Sequence, residues 1–143
     1  MGARRLGRER ALQALYQLEA GNATPQDALE AAWSSEEGES SPPAPDPEAK
    51  RFAQELVEGV WQHLAELDAV IQEHSHNWRV DRMPRIDRNI LRLGVYELKY
   101  RPDIPRKVTL NEAVELGKTF GAEESAAFVN GLLDRVSQVV GKE

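Results

Sequence analysis

The sequence has no cysteine among its 143 residues, which excludes a disulfide framework, thiolate chemistry and cysteine zinc sites. It has no signal-peptide core and no apolar run near the roughly 20 residues that span a bilayer. A glycine-rich phosphate loop and a nucleophile elbow are also missing. The histidines, His63, His74 and His76, lack the i, i+4 pairing that favours a helical metal site. We therefore expect a binding module without cofactor or metal, not an enzyme.

The net charge of −6 conceals an uneven distribution of charge along the chain. Residues 1–10 contain four arginines and one acid, whereas residues 26–48 contain seven acids and no lysine or arginine. Residues 79–107 contain nine basic and four acidic residues. Because the local field decides where an anion binds, a polyanionic partner stays compatible with the negative total.

Hydrophobic periodicity predicts helices throughout and no strand, so the fold class is all-α. The predicted helices cover about 3–20, 25–33, 47–74 with a bend near His63, 84–100, and two from 108 to 140 that meet at Gly121. The last two form an apolar hairpin, with Val139 and Val140 included in its buried arc, and are the expected core. The acidic, proline- and serine-rich stretch at about 34–47 is predicted to be a mobile loop within a single domain, residues 1–143.

Two basic clusters stand out on these helices. Arg4 and Arg8 continue the apolar stripe of the first helix, so its first turns should overhang the body or fray. Four arginines there oppose the helix dipole, which suits a phosphate-binding arm and a solvated terminus equally well. In the helix from Pro84, a second stripe (Arg85, Arg88, Arg92 and Lys99) is predicted to be a solvated face, with a binding surface as the alternative. Asp87 and Glu97 lie on its apolar side, where Asp87 should serve the dipole or an ion pair and Glu97 should pair internally.

Three blocks of sequence carry a resemblance to a known family. They are Arg8-Glu9-x-Ala11-x-Gln13-Ala14-Leu15-Tyr16; Trp78 with Asp87-Arg88-x-Ile90-Leu91-Arg92-Leu93-x-x-Tyr96-Glu97-Leu98; and Asn111-Glu112-Ala113-Val114-Glu115-Leu116 with Phe120-Gly121-Ala122-Glu123 and Phe128-Val129-Asn130-Gly131-Leu132-Leu133-Asp134. In this order and at this spacing, they resemble the NusB family of bacterial transcription antitermination factors. The 34–47 loop departs from the family pattern.

The resemblance implies a compact bundle of about seven helices in two helical subdomains. It implies binding of the boxA element of nascent ribosomal RNA leaders together with NusE, a ribosomal small-subunit protein. The complex would join RNA polymerase and other Nus factors in the cytoplasm and suppress premature termination, without catalysis. No membrane partner is expected, and a homodimer is compatible with the family.

Site residues follow from the same resemblance, position by position. The implied RNA-binding residues are Arg4, Arg5, Arg8, Tyr16, Glu124, Ser125 and Phe128. The implied NusE interface contains Asp87, to which we add Arg88 and Arg92. Without the resemblance, core packing would be the favoured role of Phe128, and Tyr16 would be either a core edge or a stacking platform.

Two other functions fit the helical pattern. Some RNA methyltransferases carry a domain of this fold as an RNA-docking module, which would require this chain to be a piece of a larger protein. A structural adaptor, whose arginines only maintain solubility, is the other alternative. Absence of RNA binding with and without NusE would favour the adaptor.

Overall fold

The computed structural model describes residues 2–21, 23–34 and 46–141. Within these ranges the chain forms seven α-helices and no strand, as predicted. They are α1 (Ala3–Ala20), α2 (Pro25–Ser34), α3 (Pro47–Gln62), α4 (Leu64–Glu73), α5 (Arg85–Tyr100), α6 (Arg106–Phe120) and α7 (Ser125–Val140), with a 3-10 turn at Val80–Arg82. No helix of the described ranges combines the length and apolar character that crossing a membrane requires. Most of the predicted mobile loop, residues 35–45, lies outside the described residues.

The helix boundaries follow from local capping chemistry. The Thr24 hydroxyl accepts a 3.1 Å hydrogen bond from the Asp27 amide, and the Asp46 carboxylate accepts a 2.9 Å bond from the Glu48 amide. Each cap precedes a proline at the first helical position, where the missing amide hydrogen has no cost. The predicted helix over 47–74 is interrupted at His63, the position of the predicted bend, and forms two helices, α3 and α4.

The chain divides into two compact units, Met1–Gln62 and His63–Glu143. In the first unit, α1 packs against α2 and α3. Its core contains Leu12, Leu15 and Leu56, each at most 1% exposed. At Gly7 a side chain could not fit easily, because a Cβ atom would lie 3.0 Å from both the Ala49 carbonyl oxygen and the Phe52 ring. The first turns of α1 therefore pack closely on α3.

This packing corrects the prediction that the first turns of α1 overhang or fray. Arg8 and Arg10 are only 3% and 4% exposed. The guanidinium carbons of Arg4 and Arg8 each lie 5.2 Å from the centroid of the Phe52 ring, and that of Arg10 lies 5.5 Å from the Trp33 ring. Aromatic faces attract cations, and arginine can bury its aliphatic stem, so an apolar stripe accommodates these residues.

The second unit contains α4 to α7, and its core is the predicted α6–α7 hairpin packed against α5. Gly94 of α5 permits this approach, since a Cβ atom there would lie 2.6 Å from Leu133. The hairpin prediction was wrong at its end, where Val139 is 75% and Val140 40% exposed. Arg106, the first residue of α6, already contacts Asp134, so the last turn of α7 extends past the helix that would cover it.

Candidate nucleic-acid interface

The arginine arm at the start of α1 presents only part of its charge to solvent. Arg4 is exposed, Arg5 is half-buried and Arg8 is buried against Phe52. No acidic residue occurs in the first turn of α1, so the positive end of the helix dipole adds to the arginine charges. Arg4 and Arg5 are therefore the arm residues that a phosphate could reach, and Arg8 holds the base of the arm on α3.

Tyr16 lies on the same helix and is 41% exposed. It follows Arg5 by eleven residues, which is close to three full turns, so the two side chains point to the same side of α1 about 16 Å apart. The side of α1 that bears Arg5 therefore carries a cation and an aromatic ring. That combination suits single-stranded RNA, which is bound through phosphates and stacked bases.

Ser125 and Asp87 come from the two different sets of predicted site residues, and the structure joins them. Ser125, at the start of α7, is 1% exposed, and Asp87, in the first turn of α5, is 5% exposed. The Ser125 hydroxyl donates a 2.7 Å hydrogen bond to Oδ1 of Asp87 and accepts a 2.9 Å bond from the Ala122 amide. Gly121 is required beside them, because a Cβ atom there would lie 2.5 Å from Ser125. This network fixes the corner between α6 and α7.

Glu124 occupies the N-cap position of α7 without a side-chain capping bond, and it is exposed. One turn later, Phe128 is half-buried, and its ring lies 5.1 Å from the Trp78 ring at an interplanar angle of 55°. Phe128 is thus only partly used in packing, and an exposed tryptophan stands beside it. The sequence blocks included Trp78, but no role was predicted for it, since its pairing with Phe128 is a tertiary contact.

The basic stripe of α5 is not the solvated face that was predicted. Arg92 is 6% exposed, and its Nε and Nη2 atoms donate to the two carboxylate oxygens of Asp68 on α4 at 2.7 and 2.8 Å. Arg88 donates to the carbonyl oxygens of Val80 and Met83. The prediction failed because α4 supplies acids to this face. Of the predicted NusE residues, Asp87 and Arg92 are therefore buried and Arg88 is half-buried.

The same side of α5 ends in an exposed cluster around Glu66. Lys99 donates a 2.8 Å hydrogen bond to Oε1 of Glu66, and the Tyr100 hydroxyl donates to Oε2. These bonds, that of Lys99 first, lower the pKa of Glu66 from its ordinary value of 4.5. The hydrogen bond to Glu66 in turn raises the pKa of Tyr100 from 10.0.

Internal pairing was correctly predicted for Glu97, which accepts a 2.8 Å bond from the Thr109 hydroxyl.

The described residues contain no group of three or more histidine, aspartate or glutamate side chains that could hold a metal ion.

Residues 5–138 match the model of the NusB family. The chain belongs to the NusB family. The resemblance that rested on three sequence blocks is confirmed, and membership places the chain among transcription antitermination factors and not among enzymes.

Individual relatives show how far the similarity to NusB proteins extends. The transcription antitermination protein NusB of Myxococcus xanthus is 68% identical over 142 residues, which is 99% of each chain. The structure of T. maritima NusB has a TM-score of 0.83 at 34% identity, covering 96% of this chain and 92% of that one. A chain in the crystal structure of antitermination factors NusB and NusE in complex with dsRNA has a TM-score of 0.81 at 26% identity, covering 96% and 97%.

Proposed function

We propose that this protein binds the boxA element of nascent ribosomal RNA leaders together with NusE, the ribosomal small-subunit protein. The assembly joins RNA polymerase and other Nus factors, and the polymerase then reads through terminators. The observation that carries this proposal is the likeness, over 96% of the chain, to a chain in the crystal structure of antitermination factors NusB and NusE in complex with dsRNA. Because such a factor acts on nascent bacterial RNA, its proposed location is the cytoplasm.

The proposed RNA contacts form one set in each unit. On α1, Arg4 and Arg5 bind phosphates and Tyr16 offers an exposed ring, while Arg8 anchors the arm through Phe52. These roles agree with the exposure of the side chains and with the absence of an acidic residue from the first turn of α1.

In the second unit, the proposed contacts surround the corner before α7. Phe128 provides a stacking face, and Ser125 holds the backbone of the corner through Asp87 and the Ala122 amide. Glu124 is exposed beside them and weakens the attraction for phosphate. Ser125 is almost fully buried, so its proposed contribution to RNA binding is the shape of the corner.

The proposed NusE interface contains Asp87, Arg88 and Arg92. Asp87 and Arg92 are buried, so they contribute mainly by fixing the surface that NusE meets: Asp87 holds the corner, and Arg92 ties α5 to Asp68 of α4. Arg88 is half-buried and bonds the connector before α5. A homodimer that covers the RNA surface in the absence of NusE is a further proposed state.

The two alternative functions are less well supported. The chain covers 99% of the Myxococcus relative, which is itself an antitermination protein and not a methyltransferase. A structural adaptor with merely solubilising arginines gives no reason for an exposed tyrosine on the side of α1 that bears Arg5. Antitermination through RNA binding accounts for both the cation and the ring.

Fluorescence anisotropy of a labelled boxA RNA tests the proposal, with a scrambled RNA of the same composition as the control ligand. The protein is titrated with and without NusE, and an Arg4→Ala/Arg5→Ala variant is compared with Lys107→Ala/Lys118→Ala. Both variants lose two exposed or half-exposed cations, but the second pair lies on α6. We expect boxA selectivity that NusE strengthens, and about tenfold weaker binding for the arm variant.

The salt dependence gives a second readout. Each phosphate contact that is lost should reduce the slope of log affinity against log salt by about 0.7 for a single strand. The arm variant should show this reduction and the α6 variant should not. Equal binding of boxA and scrambled RNA, unaffected by NusE, would overturn the proposal and favour the adaptor.

A further inference from the structure

The connector between α4 and α5 presents an indole ring beside α7. Trp78 is 39% exposed although its ring contacts the half-buried Phe128 at 5.1 Å. A cleft of about 620 Å³ opens there, lined by residues 74–78 together with Phe128 and Arg135. Small-molecule sites in proteins occupy a similar range, about 300–1,000 Å³. The cleft is therefore large enough for a nucleotide.

Hydrogen bonds from two side chains hold the connector in place. The Gln72 amide group donates to the carbonyl oxygens of Ser75 and Trp78 at 3.0 and 3.2 Å, and its Oε1 accepts a 3.0 Å bond from the Val80 amide. The buried Ser75 hydroxyl donates a further 2.8 Å bond to the Trp78 carbonyl. Because its carbonyl is bonded twice, the backbone at Trp78 is held in place, so binding at its ring does not require ordering of this loop.

The charge of the cleft favours an anion. Arg135 is exposed at its edge, and its Nη2 atom donates a 3.3 Å hydrogen bond to the His74 carbonyl oxygen, which holds the guanidinium group near the opening. None of the lining residues is acidic. An apolar protein side chain would contact the rings but would gain nothing from the positive charge of Arg135.

A partly exposed aromatic ring with a guanidinium group beside it is a combination that binds single-stranded RNA. We infer that this cleft is a nucleotide subsite, in which an unpaired base of the bound RNA stacks on Trp78 and an adjacent phosphate meets Arg135. The inference rests on the proposed RNA-binding function and adds Trp78 and Arg135 to its surface. Phe128, whose ring lies 5.1 Å from the indole at an interplanar angle of 55°, packs against the platform and lines the same cleft.

Equilibrium binding of boxA RNA to Trp78 variants tests the inference. We expect Trp78→Ala to bind about 5- to 150-fold more weakly, the range expected for loss of one stacked base, and Trp78→Tyr to bind within about threefold of wild type. Trp61→Ala is the matched control, because Trp61 is 37% exposed but lies on α3 and does not line the cleft. Thermal unfolding of each variant establishes that it is folded at the assay temperature.

An RNA series with single abasic nucleotides identifies the stacked base. At one position, removal of the base should weaken wild-type binding and should leave Trp78→Ala unaffected, since the contact is already lost. Arg135→Gln should lower the salt slope by about 0.7 and should leave the abasic pattern unchanged. If Trp78 has only a structural role, Trp78→Ala should bind every abasic RNA more weakly than wild type by the same factor. That result would overturn the inference.

The tests separate failure of the subsite from failure of the proposed function. If wild type selects boxA and Trp78→Ala binds equally well, RNA binding stands and the subsite is wrong. If wild type does not select boxA, the same variants measured on unstructured RNA still decide whether Trp78 stacks a base. Loss of NusE binding in Trp78→Ala without any change in RNA affinity would assign the cleft to a protein partner and would also overturn the inference.

Discussion

Ser125 donates a 2.7 Å hydrogen bond to Asp87, and the two side chains, at most 5% exposed, join the first turns of α7 and α5. The same hydroxyl oxygen accepts the Ala122 amide hydrogen. The buried Ser125 hydroxyl therefore makes hydrogen bonds to both a carboxylate and a backbone amide at the corner that carries Glu124. The backbone conformation of the proposed RNA surface in this unit depends on the Ser125–Asp87 bond.

We predict that Ser125→Ala lowers the free energy of unfolding by about 1–3 kcal/mol, because it leaves the buried Asp87 carboxylate and the Ala122 amide without this partner. Asp87→Asn should cost less, since an amide oxygen can still accept the Ser125 proton. Urea denaturation measures both. The control is Thr119→Ala at an exposed position of α6, expected within about 0.5 kcal/mol of wild type. Equal stabilities of the Ser125 and Thr119 variants would contradict the prediction.

Glu124 is expected to oppose RNA binding by charge repulsion. Its carboxylate is exposed at the cap of α7, one turn before Phe128. Glu124→Gln removes the charge and keeps the shape, and it should tighten boxA binding about two- to fourfold at moderate salt. Raising the salt concentration should reduce the difference.

Glu115→Gln provides the matched control for Glu124. Glu115 is also exposed, but it lies on α6 and faces Lys118 at 3.7 Å. Its neutralisation should change RNA affinity by less than about 1.5-fold, since long-range effects at exposed sites are screened. Unchanged or weaker binding by Glu124→Gln would refute the repulsion argument.

Local sequence signals predicted the helices well. Thr24-Pro25 and Asp46-Pro47 set the starts of α2 and α3, and Gly121 set the end of α6, because capping depends on residues within a few positions of the helix end. The family resemblance likewise rested on contiguous blocks. Single-domain organisation and the roles of the predicted site residues stay predictions.

The errors of sequence analysis came from contacts between distant residues. Arg8 was placed on the apolar stripe of a helix end expected to overhang or fray, and Arg92 was placed on a solvated face. In the structure Phe52 covers Arg8 and Asp68 pairs with Arg92, each from another helix. Helical periodicity predicts on which face of its helix a side chain lies, but it does not predict which residue of another helix covers that side chain. Trp78 was overlooked as a site residue for the same reason, since Phe128 lies 50 positions away in the chain.

Two similar arginine–aspartate pairs differ in burial and should differ in energy. The side chains of Arg92 and Asp68 are 7% and 30% exposed, whereas those of Arg101 and Asp103 are 18% and 48% exposed, and each arginine donates through Nε and Nη2. Asp68→Ala should lower the free energy of unfolding by about 3 kcal/mol, because it removes the carboxylate that pairs with the buried Arg92 guanidinium. Asp103→Ala should cost less than about 1 kcal/mol. Comparable losses in urea denaturation would contradict the role of burial.

The cluster of Glu66, Lys99 and Tyr100 should make stability depend on pH at both extremes. The pKa of Glu66 is lowered, so its contribution is complete above pH 4.5 and is lost as the pH falls through the lower folded value. The pKa of Tyr100 is raised, so its contribution is complete below pH 10.0 and is lost as the pH rises through the higher folded value. Both groups are exposed, and the effects should be small.

Ultraviolet titration of tyrosinate tests the link between the two groups. The difference between wild type and Tyr100→Phe isolates the Tyr100 transition, which should lie above pH 10.0. Glu66→Gln should move this transition to lower pH, because the negative acceptor that opposes ionisation is removed. Glu115→Gln should leave it in place, since Glu115 pairs with Lys118 on α6. A Tyr100 transition that is the same in wild type and Glu66→Gln would show that the hydrogen bond does not hold the phenol proton in solution.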